Sequence, residues 1–196
     1  MGEGNGEVRV SAGGPFFSNI GSTIPIPNVA VGGRYGVADG WDVDGNVSVL
    51  AAAMGVAYVD PGVVRQLYAT DGGPALSASA RANLFVGSSD GLAVKVYPEL
   101  GLHGELPLGR HANLFAGGTA WVNFTPSIGK SPVMVTPYLG ASWRFSPQRL
   151  GGPEVSMQLG WVSPWEDSTS VVEWQPMPNG AITAVVALSI PFGGAR

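Results

Sequence analysis

Ionisable side chains of the kinds used in catalysis recur at two-residue spacings in this sequence. In a strand, Glu99, His103 and Glu105 share one face, because strand side chains alternate between two faces. With a serine from a neighbouring strand they would supply the residue types of an esterase triad. One histidine with two carboxylates is also a weak candidate metal-ligand set. Asp42 and Asp44 form a second same-face pair of carboxylates.

The element that must position the two aspartates is residues 41–49. Its odd positions read Trp, Val, Gly, Val and Val, and its even positions read Asp, Asp, Asn and Ser. This strict alternation predicts a strand with one apolar and one polar face. Similar stretches, separated by Gly-, Pro- and Asp-rich turns, predict ten strands and no amphipathic helix of useful length. The predicted strands are residues 7–13, 28–37, 41–54, 56–68, 74–87, 92–106, 111–124, 132–145, 153–163 and 181–192.

The composition is short of side chains suited to water. Charged residues make up 12% of the 196 residues, and apolar residues make up 45%. An ordinary soluble domain has about 25% charged residues. No apolar run approaches the about 18 residues of a transmembrane helix. The remaining structure that can span a bilayer is a closed β-barrel, because it pairs every backbone group. We therefore predict an all-β fold with residues 1–196 in a single domain.

Several functions are disfavoured by what the sequence lacks. Without cysteine there are no disulfides and no thiolate metal sites. The net charge is −4 and only two lysines occur, so no basic patch indicates nucleic-acid binding. We predict no metal, no cofactor and no phosphate-binding glycine motif. The N-terminus lacks the charged and apolar regions of a signal peptide, and we expect a mature chain with an added start methionine.

Charges in the regular strands fall on the polar faces, in company with Gly, Ser and Asn. A water-soluble sandwich would crowd its solvent face with Lys, Glu and Thr, whereas small residues suit a narrow lumen. The alternation therefore favours a membrane barrel over a sandwich. Arg65, at the end of the irregular fourth strand, is the doubtful case. The predicted lumen network, to which His103 is added, comprises Arg9, Arg34, Asp42, Asp44, Arg81, Lys95, Glu99, Glu105, Arg144 and Glu154.

Aromatic residues cluster near both sets of strand ends. Such girdles are the interface anchors of membrane barrels. Phe85 is also assigned to the second girdle. The predicted membrane-interface aromatics are Tyr35, Trp41, Tyr68, Trp143, Phe145 and Phe192 at one end, and Trp161 and Trp165 at the other.

This pattern resembles the small bacterial outer-membrane β-barrels of the porin-like superfamily over nearly the whole chain. Residues 34–43 look like the strand, short periplasmic turn and strand of such barrels. The last strand alternates to Phe192, like the signal read by the barrel-assembly machinery, although four residues follow it. The resemblance implies a closed up-and-down barrel in a Gram-negative outer membrane, with periplasmic termini. The implied partners are outer-membrane lipid and, during biogenesis, the assembly machinery, and a monomer is expected.

Three functions follow from these predictions. The first is a non-enzymatic structural or surface-interaction protein whose lumen is filled by paired charges. The second is a narrow channel for small solutes. The third is a barrel enzyme acting on lipid or peptide, which is disfavoured because His103 lies toward the periplasmic end, whereas related barrel enzymes act near the outer rim. If Pro61 breaks the fourth strand, the strand number falls to eight. Residues 164–180, with Glu173 and Trp174, are predicted to form a long polar loop.

Overall fold

The computed structural model describes residues 1–18, 23–25, 28–87, 93–124, 131–146, 152–167 and 178–193. In these ranges the elements are β1 (Gly6–Ser18), β2 (Thr23–Pro25), β3 (Asn28–Ala38), β4 (Trp41–Ser48), α1 (Val49–Ala53), β5 (Val56–Val59), β6 (Gly62–Ala69), β7 (Ala75–Gly87), β8 (Ala93–Leu108), β9 (Ala112–Val122), β10 (Val133–Arg144), β11 (Glu154–Asp167) and β12 (Asn179–Phe192). No helix among them is long and apolar enough to cross a membrane.

The sheet closes on itself. Each long strand pairs antiparallel with its neighbours in the sequence, and β1 pairs with β12, for example Val10 with Leu188. The short β2 pairs only with the end of β1. β5 and β6 occupy one strand position between β4 and β7. The predicted closed antiparallel barrel of ten strands is confirmed.

The fourth barrel strand is interrupted at Asp60 and Pro61, but its register is kept. Val59 pairs with Val47, and Gly62 with Asp44, so the same alignment continues across the gap. Pro61 has no N–H to donate. Two hydrogen bonds continue the pairing of the strands at this point. The Asp60 N–H donates to the Asn46 carbonyl at 3.1 Å, and the Asn46 N–H donates to the side-chain Oδ1 of Asp60 at 2.7 Å. The strand number is therefore ten and not eight.

We expect Asp60→Ala to lower the free energy of unfolding by about 1–3 kcal/mol, the usual cost of leaving a buried donor unpaired. The Asp60 carboxylate accepts from both the backbone and the side chain of Asn46 and from the Tyr58 hydroxyl. Urea unfolding in lipid vesicles, read by the different gel mobilities of folded and unfolded barrels, measures the change. Asp71→Ala, in the exposed turn before β7, is the control. An equal loss of unfolding free energy in this variant would contradict the role of Asp60 in continuing the strand pairing.

The third strand is shorter than predicted. It ends at Ser48 and not near Met54, and residues 49–53 form α1. Ser48 Oγ accepts the N–H of Ala51 at 3.1 Å, which is a helix N-cap. The sequence Leu50 to Ala53 loses the period of two and consists of strong helix formers. α1 thus begins the connection between β4 and β5, which the alternation alone did not reveal.

Burial is inverted relative to a soluble protein. On β4, Asp42 and Ser48 are 3% and 1% exposed, whereas Val43 and Val47 are 41% and 50% exposed. Most positions of the other barrel strands follow the same rule, with polar side chains inside and Val, Leu and Ile outside, although Val64 and Ala187 are buried. The predicted polar faces therefore line the lumen, and the apolar faces form the outer surface.

β1 begins and β12 ends at one end of the barrel, here called the terminal end, where β10 also ends and where the short turns after β3, β6 and β8 lie. α1 lies at the opposite, loop end. Arg65 points outward near the terminal end, 5.0 Å over the Trp41 ring, and donates to the Asp39 carbonyl at 3.1 Å. Its charge reaches the rim of the barrel while its stem covers the apolar surface, as long cationic side chains do at interfaces.

The predicted loop of residues 164–180 is also shorter than expected. β11 continues through Asp167, and β12 begins at Asn179, with these two residues paired. Pro164 to Asp167 are therefore strand residues. Glu173 and Trp174 lie outside the described residues.

Candidate functional site in the barrel lumen

A cavity of about 480 Å³, here called the lumen cavity, lies inside the barrel. All ten barrel strands contribute side chains to it. Its lining extends from Glu105, toward the terminal end, to Asn28, at the loop-end start of β3. Many lining residues are small, including Ser11, Ser77 and Ser156. Side chains thus fill the lumen only in part.

Three buried carboxylates and one arginine form what we call the Arg81 cluster, consisting of Arg81, Asp44, Asp60 and Glu99. Arg81 Nη2 donates to Asp44 Oδ2. Its guanidinium nitrogens also lie 3.9 Å from Asp60 Oδ1 and from Glu99 Oε1. Gly62 pairs with Asp44 on one side and with Arg81 on the other, and a Cβ there would lie 2.8 Å from Asp44 Oδ1. Glycine at this position therefore lets the two charged side chains meet.

A second group of ion pairs lies nearer the terminal end. Arg34 Nε donates to Asp42 Oδ2 at 2.7 Å, and the amino group of Met1 also contacts this carboxylate at 2.8 Å. Arg144 Nε donates to Glu154 Oε2 at 2.6 Å. The partners lie on neighbouring strands and are close in the sequence, eight residues apart for Arg34 and Asp42 and ten for Arg144 and Glu154.

The remaining predicted network residues form longer ion pairs or none within the described part of the chain. Arg9 donates to the Asn46 side chain at 3.1 Å and lies 3.8 Å from Glu7. Lys95 and Glu105 are exposed, and neither forms an ion pair within the described part of the chain. The predicted residues are therefore not joined in one network within the described part of the chain, and their shared role stays a prediction.

His103 is held by two hydroxyl groups. Its Nε2 lies 2.7 Å from Ser79 Oγ, and its Nδ1 contacts the Tyr138 hydroxyl. A Cβ at Gly101 would lie 2.7 Å from His103 Nε2, and one at Gly117 would lie 2.6 Å from the Tyr138 hydroxyl. The two glycines therefore provide the space for this group. A tyrosine stands where a triad has its carboxylate, and no candidate metal cluster occurs among the described residues.

An aromatic wall, consisting of Tyr58, Phe85, Tyr97 and Trp121, faces the lumen on the loop-end side of the Arg81 cluster. The Tyr58 and Phe85 rings stack with centroids 4.5 Å apart, Phe85 meets Tyr97 edge-on at 5.7 Å, and Tyr97 stacks on Trp121 at 6.3 Å. The assignment of Phe85 to the outer girdle is therefore wrong. Its lumen side could have been found from the sequence, because Phe85 continues the polar parity of Ser79, Arg81 and Asn83.

Solved structures of bacterial outer-membrane barrels superpose on this chain. No family model and no curated protein sequence matches the chain. The NanC porin superposes with a TM-score of 0.52 and 10% identity, over 93% of this chain and 98% of that chain. An outer membrane channel from Pseudomonas putida F1 gives 0.51 and 10% identity, over 98% and 97% of the two chains. The chain has the fold of bacterial outer-membrane β-barrels. At this identity, the likeness concerns the fold alone.

In an outer-membrane barrel, aromatic anchors are expected on the outer surface near the two interfaces. The aromatics predicted for these girdles are exposed in this structure: Tyr35, Trp41, Tyr68, Trp143, Phe145 and Phe192 lie near the terminal end, and Trp161 and Trp165 near the loop end. Trp143 also stacks on His111, with centroids 5.6 Å apart. Their contact with lipid stays a prediction.

Proposed function

We propose that this protein is a non-enzymatic, narrow channel for small solutes in the outer membrane of a Gram-negative bacterium. The lumen cavity carries this proposal, because it leaves open space in an interior that side chains just fill in barrels of eight strands. We further propose a monomer surrounded by outer-membrane lipid and inserted by the barrel-assembly machinery.

The distribution of charge around the cavity supports a passage. The Arg81 cluster comes from β4, β7, β8 and the junction of β5 with β6. β10, β11 and β12 contribute only neutral side chains to the cavity, namely Thr136, Tyr138, Ser156, Gln158, Val185 and Ala187. The charges therefore constrict the lumen from one wall and leave space along the other.

Planar-bilayer recording of the purified, refolded chain tests the proposal. We expect small, discrete conductance steps, and we expect Ser156→Trp to abolish them by filling the cavity from its neutral wall. Val155→Trp is the matched control, since Val155 is the adjacent residue and is exposed on the outer surface. It should leave the steps unchanged. A folded wild-type protein that gives no steps would refute the channel.

The second candidate function is a closed barrel with a structural or surface-interaction role. The Arg81 cluster favours it, because three carboxylates and a guanidinium stiffen the middle of the lumen. An absence of conductance steps from the folded wild-type protein in the same recordings would support this function. Catalysis has less support, because His103 contacts a tyrosine where a triad would place a carboxylate.

A further inference from the structure

The aromatic wall and the Arg81 cluster form one continuous surface. Trp121 pairs with Glu99 in the register of β9 with β8. The Tyr58 hydroxyl lies 3.2 Å from Asp60 Oδ2 and 2.7 Å from Asn83 Oδ1, and it can donate to one of the two at a time. The aromatic wall therefore adjoins the carboxylates on their loop-end side, and Tyr58 and Glu99 both line the lumen cavity.

The carboxylates of this surface outnumber their cation. Asp44, Asp60 and Glu99 share one guanidinium, that of Arg81, which leaves the cluster with a net charge of −2 if all are ionised. The Asp44 side chain is 2% exposed, yet its Oδ1 has no hydrogen-bond partner in the described part of the chain. Glu99 approaches Arg81 only to 3.9 Å. An additional positive charge would be stabilised here.

Other charges of the lumen do not cancel this excess. Arg9 lies 3.8 Å from Glu7 and is bonded to Asn46, and Arg34 is bonded to Asp42. Lys95 is exposed, lies opposite Phe85 in the register of β8 with β7, and forms no ion pair with the Arg81 cluster in the described part of the chain. The two arginines thus have other partners, and Lys95 does not pair with the cluster.

We propose that this surface binds small organic cations, with the ammonium group at the carboxylates of the Arg81 cluster and the apolar body against the aromatic wall. The inference rests on the proposed function, since it names the class of solute that enters the lumen. Ring faces carry negative electrostatic potential and attract ammonium groups within about 6 Å of the ring centroid. An anion of the same shape would meet both the ring faces and the excess carboxylates unfavourably.

Calorimetric titration of the folded chain in detergent micelles tests the proposal without requiring conductance. Benzyltrimethylammonium is the probe. Tetramethylammonium has its charge without the ring, and benzenesulfonate has the ring with the opposite charge. We expect saturable binding of the first, weaker binding of the second, and no binding of the third beyond a titration into protein-free micelles. Equal binding of the cation and the anion, or no saturable binding of benzyltrimethylammonium, would overturn the proposal.

Two variants locate the site. Glu99→Gln should weaken benzyltrimethylammonium binding by about tenfold, because it removes a partly buried charge. Trp121→Leu should weaken it by about threefold to thirtyfold, the range of cation–π contributions. The controls are Glu105→Gln on the same strand as Glu99, and Phe115→Leu on the same strand as Trp121, both farther toward the terminal end. Heat-modifiable gel mobility verifies folding.

The outcomes for the channel and for the solute class are separable. Cation binding with the expected variant effects in a barrel that does not conduct would overturn the channel and keep the binding site. Conductance steps without preferential binding of the organic cation would keep the channel and overturn the inference. Binding that is equally weakened by the control variants would also overturn it, because the site would then not be at the wall and cluster.

Discussion

Replacement of Arg81 by methionine is expected to lower the free energy of unfolding by about 3 kcal/mol or more, the usual cost of removing one partner of a buried ion pair. The substitution leaves Asp44, Asp60 and Glu99 facing one another without the guanidinium between them. Methionine keeps much of the volume of the arginine stem, so the loss reports charge and not a cavity. The midpoint of urea unfolding in lipid vesicles measures it.

Arg144→Met is the matched control for this prediction. Arg144 also pairs with a carboxylate inside the barrel, but Arg144 and Glu154 are 28% and 27% exposed, near the terminal end. Ion pairs contribute less as their exposure rises, down to about 0–1 kcal/mol at the surface, so the control should lose less stability than Arg81→Met. Equal destabilisation by the two substitutions would show that burial in the Arg81 cluster does not set the cost.

Gly13→Val is expected to prevent closure of the barrel or to destabilise it by about 3 kcal/mol or more, because overpacking and backbone strain act together. Gly13 lies in the ladder between β1 and β12 with φ of +152°. A Cβ at this position would contact the carbonyl oxygen of Ala184 and would approach Val185 Cα to 2.6 Å. Backbone atoms cannot rotate away from the added group. The yield of heat-modifiable folded protein after refolding measures the effect.

Ala12→Val separates this steric effect from a general effect of valine on the seam. Ala12 is the preceding residue of the same ladder and is exposed on the outer surface. Its refolding yield should match the wild type, since valine favours strands and has open space there. If Gly13→Val also folds normally, then β1 and β12 do not approach each other as closely as the structure shows.

The period of two in the sequence predicts most of this fold, because each strand has one face toward the polar lumen and the other toward the apolar outer surface. On β4, each even residue from Asp42 to Ser48 faces the lumen and each odd residue faces outward. The same alternation predicts the strand number and the polar lining. It does not predict α1. The N-cap at Ser48 and the following alanines favour a helix locally, where the alternation alone would allow β4 to continue.

The arrangement of the candidate site is much less accessible from the sequence. Arg34 and Asp42 are eight residues apart across a short turn, so their contact follows from local geometry. Arg81 and Asp44 are 37 residues apart, and their contact depends on the registers of two strand pairs around Gly62. The aromatic wall was missed for another reason. Aromatic residues near strand ends suggest interface anchors, whereas the parity of Phe85 places its side chain in the lumen.

The seam between β1 and β12 also has a kinetic consequence. It pairs Gly6 with Phe192, so the residues that close the barrel are almost as far apart in the chain as any two can be. Contacts of such high sequence separation slow folding, because the entropy of closing the loop is lost before the ladder compensates for it. Until that step, both strands present open edges that can pair with another molecule. We therefore expect the pairing of β1 with β12 to be the late, rate-limiting step of barrel formation. Aggregation should compete with folding at this step.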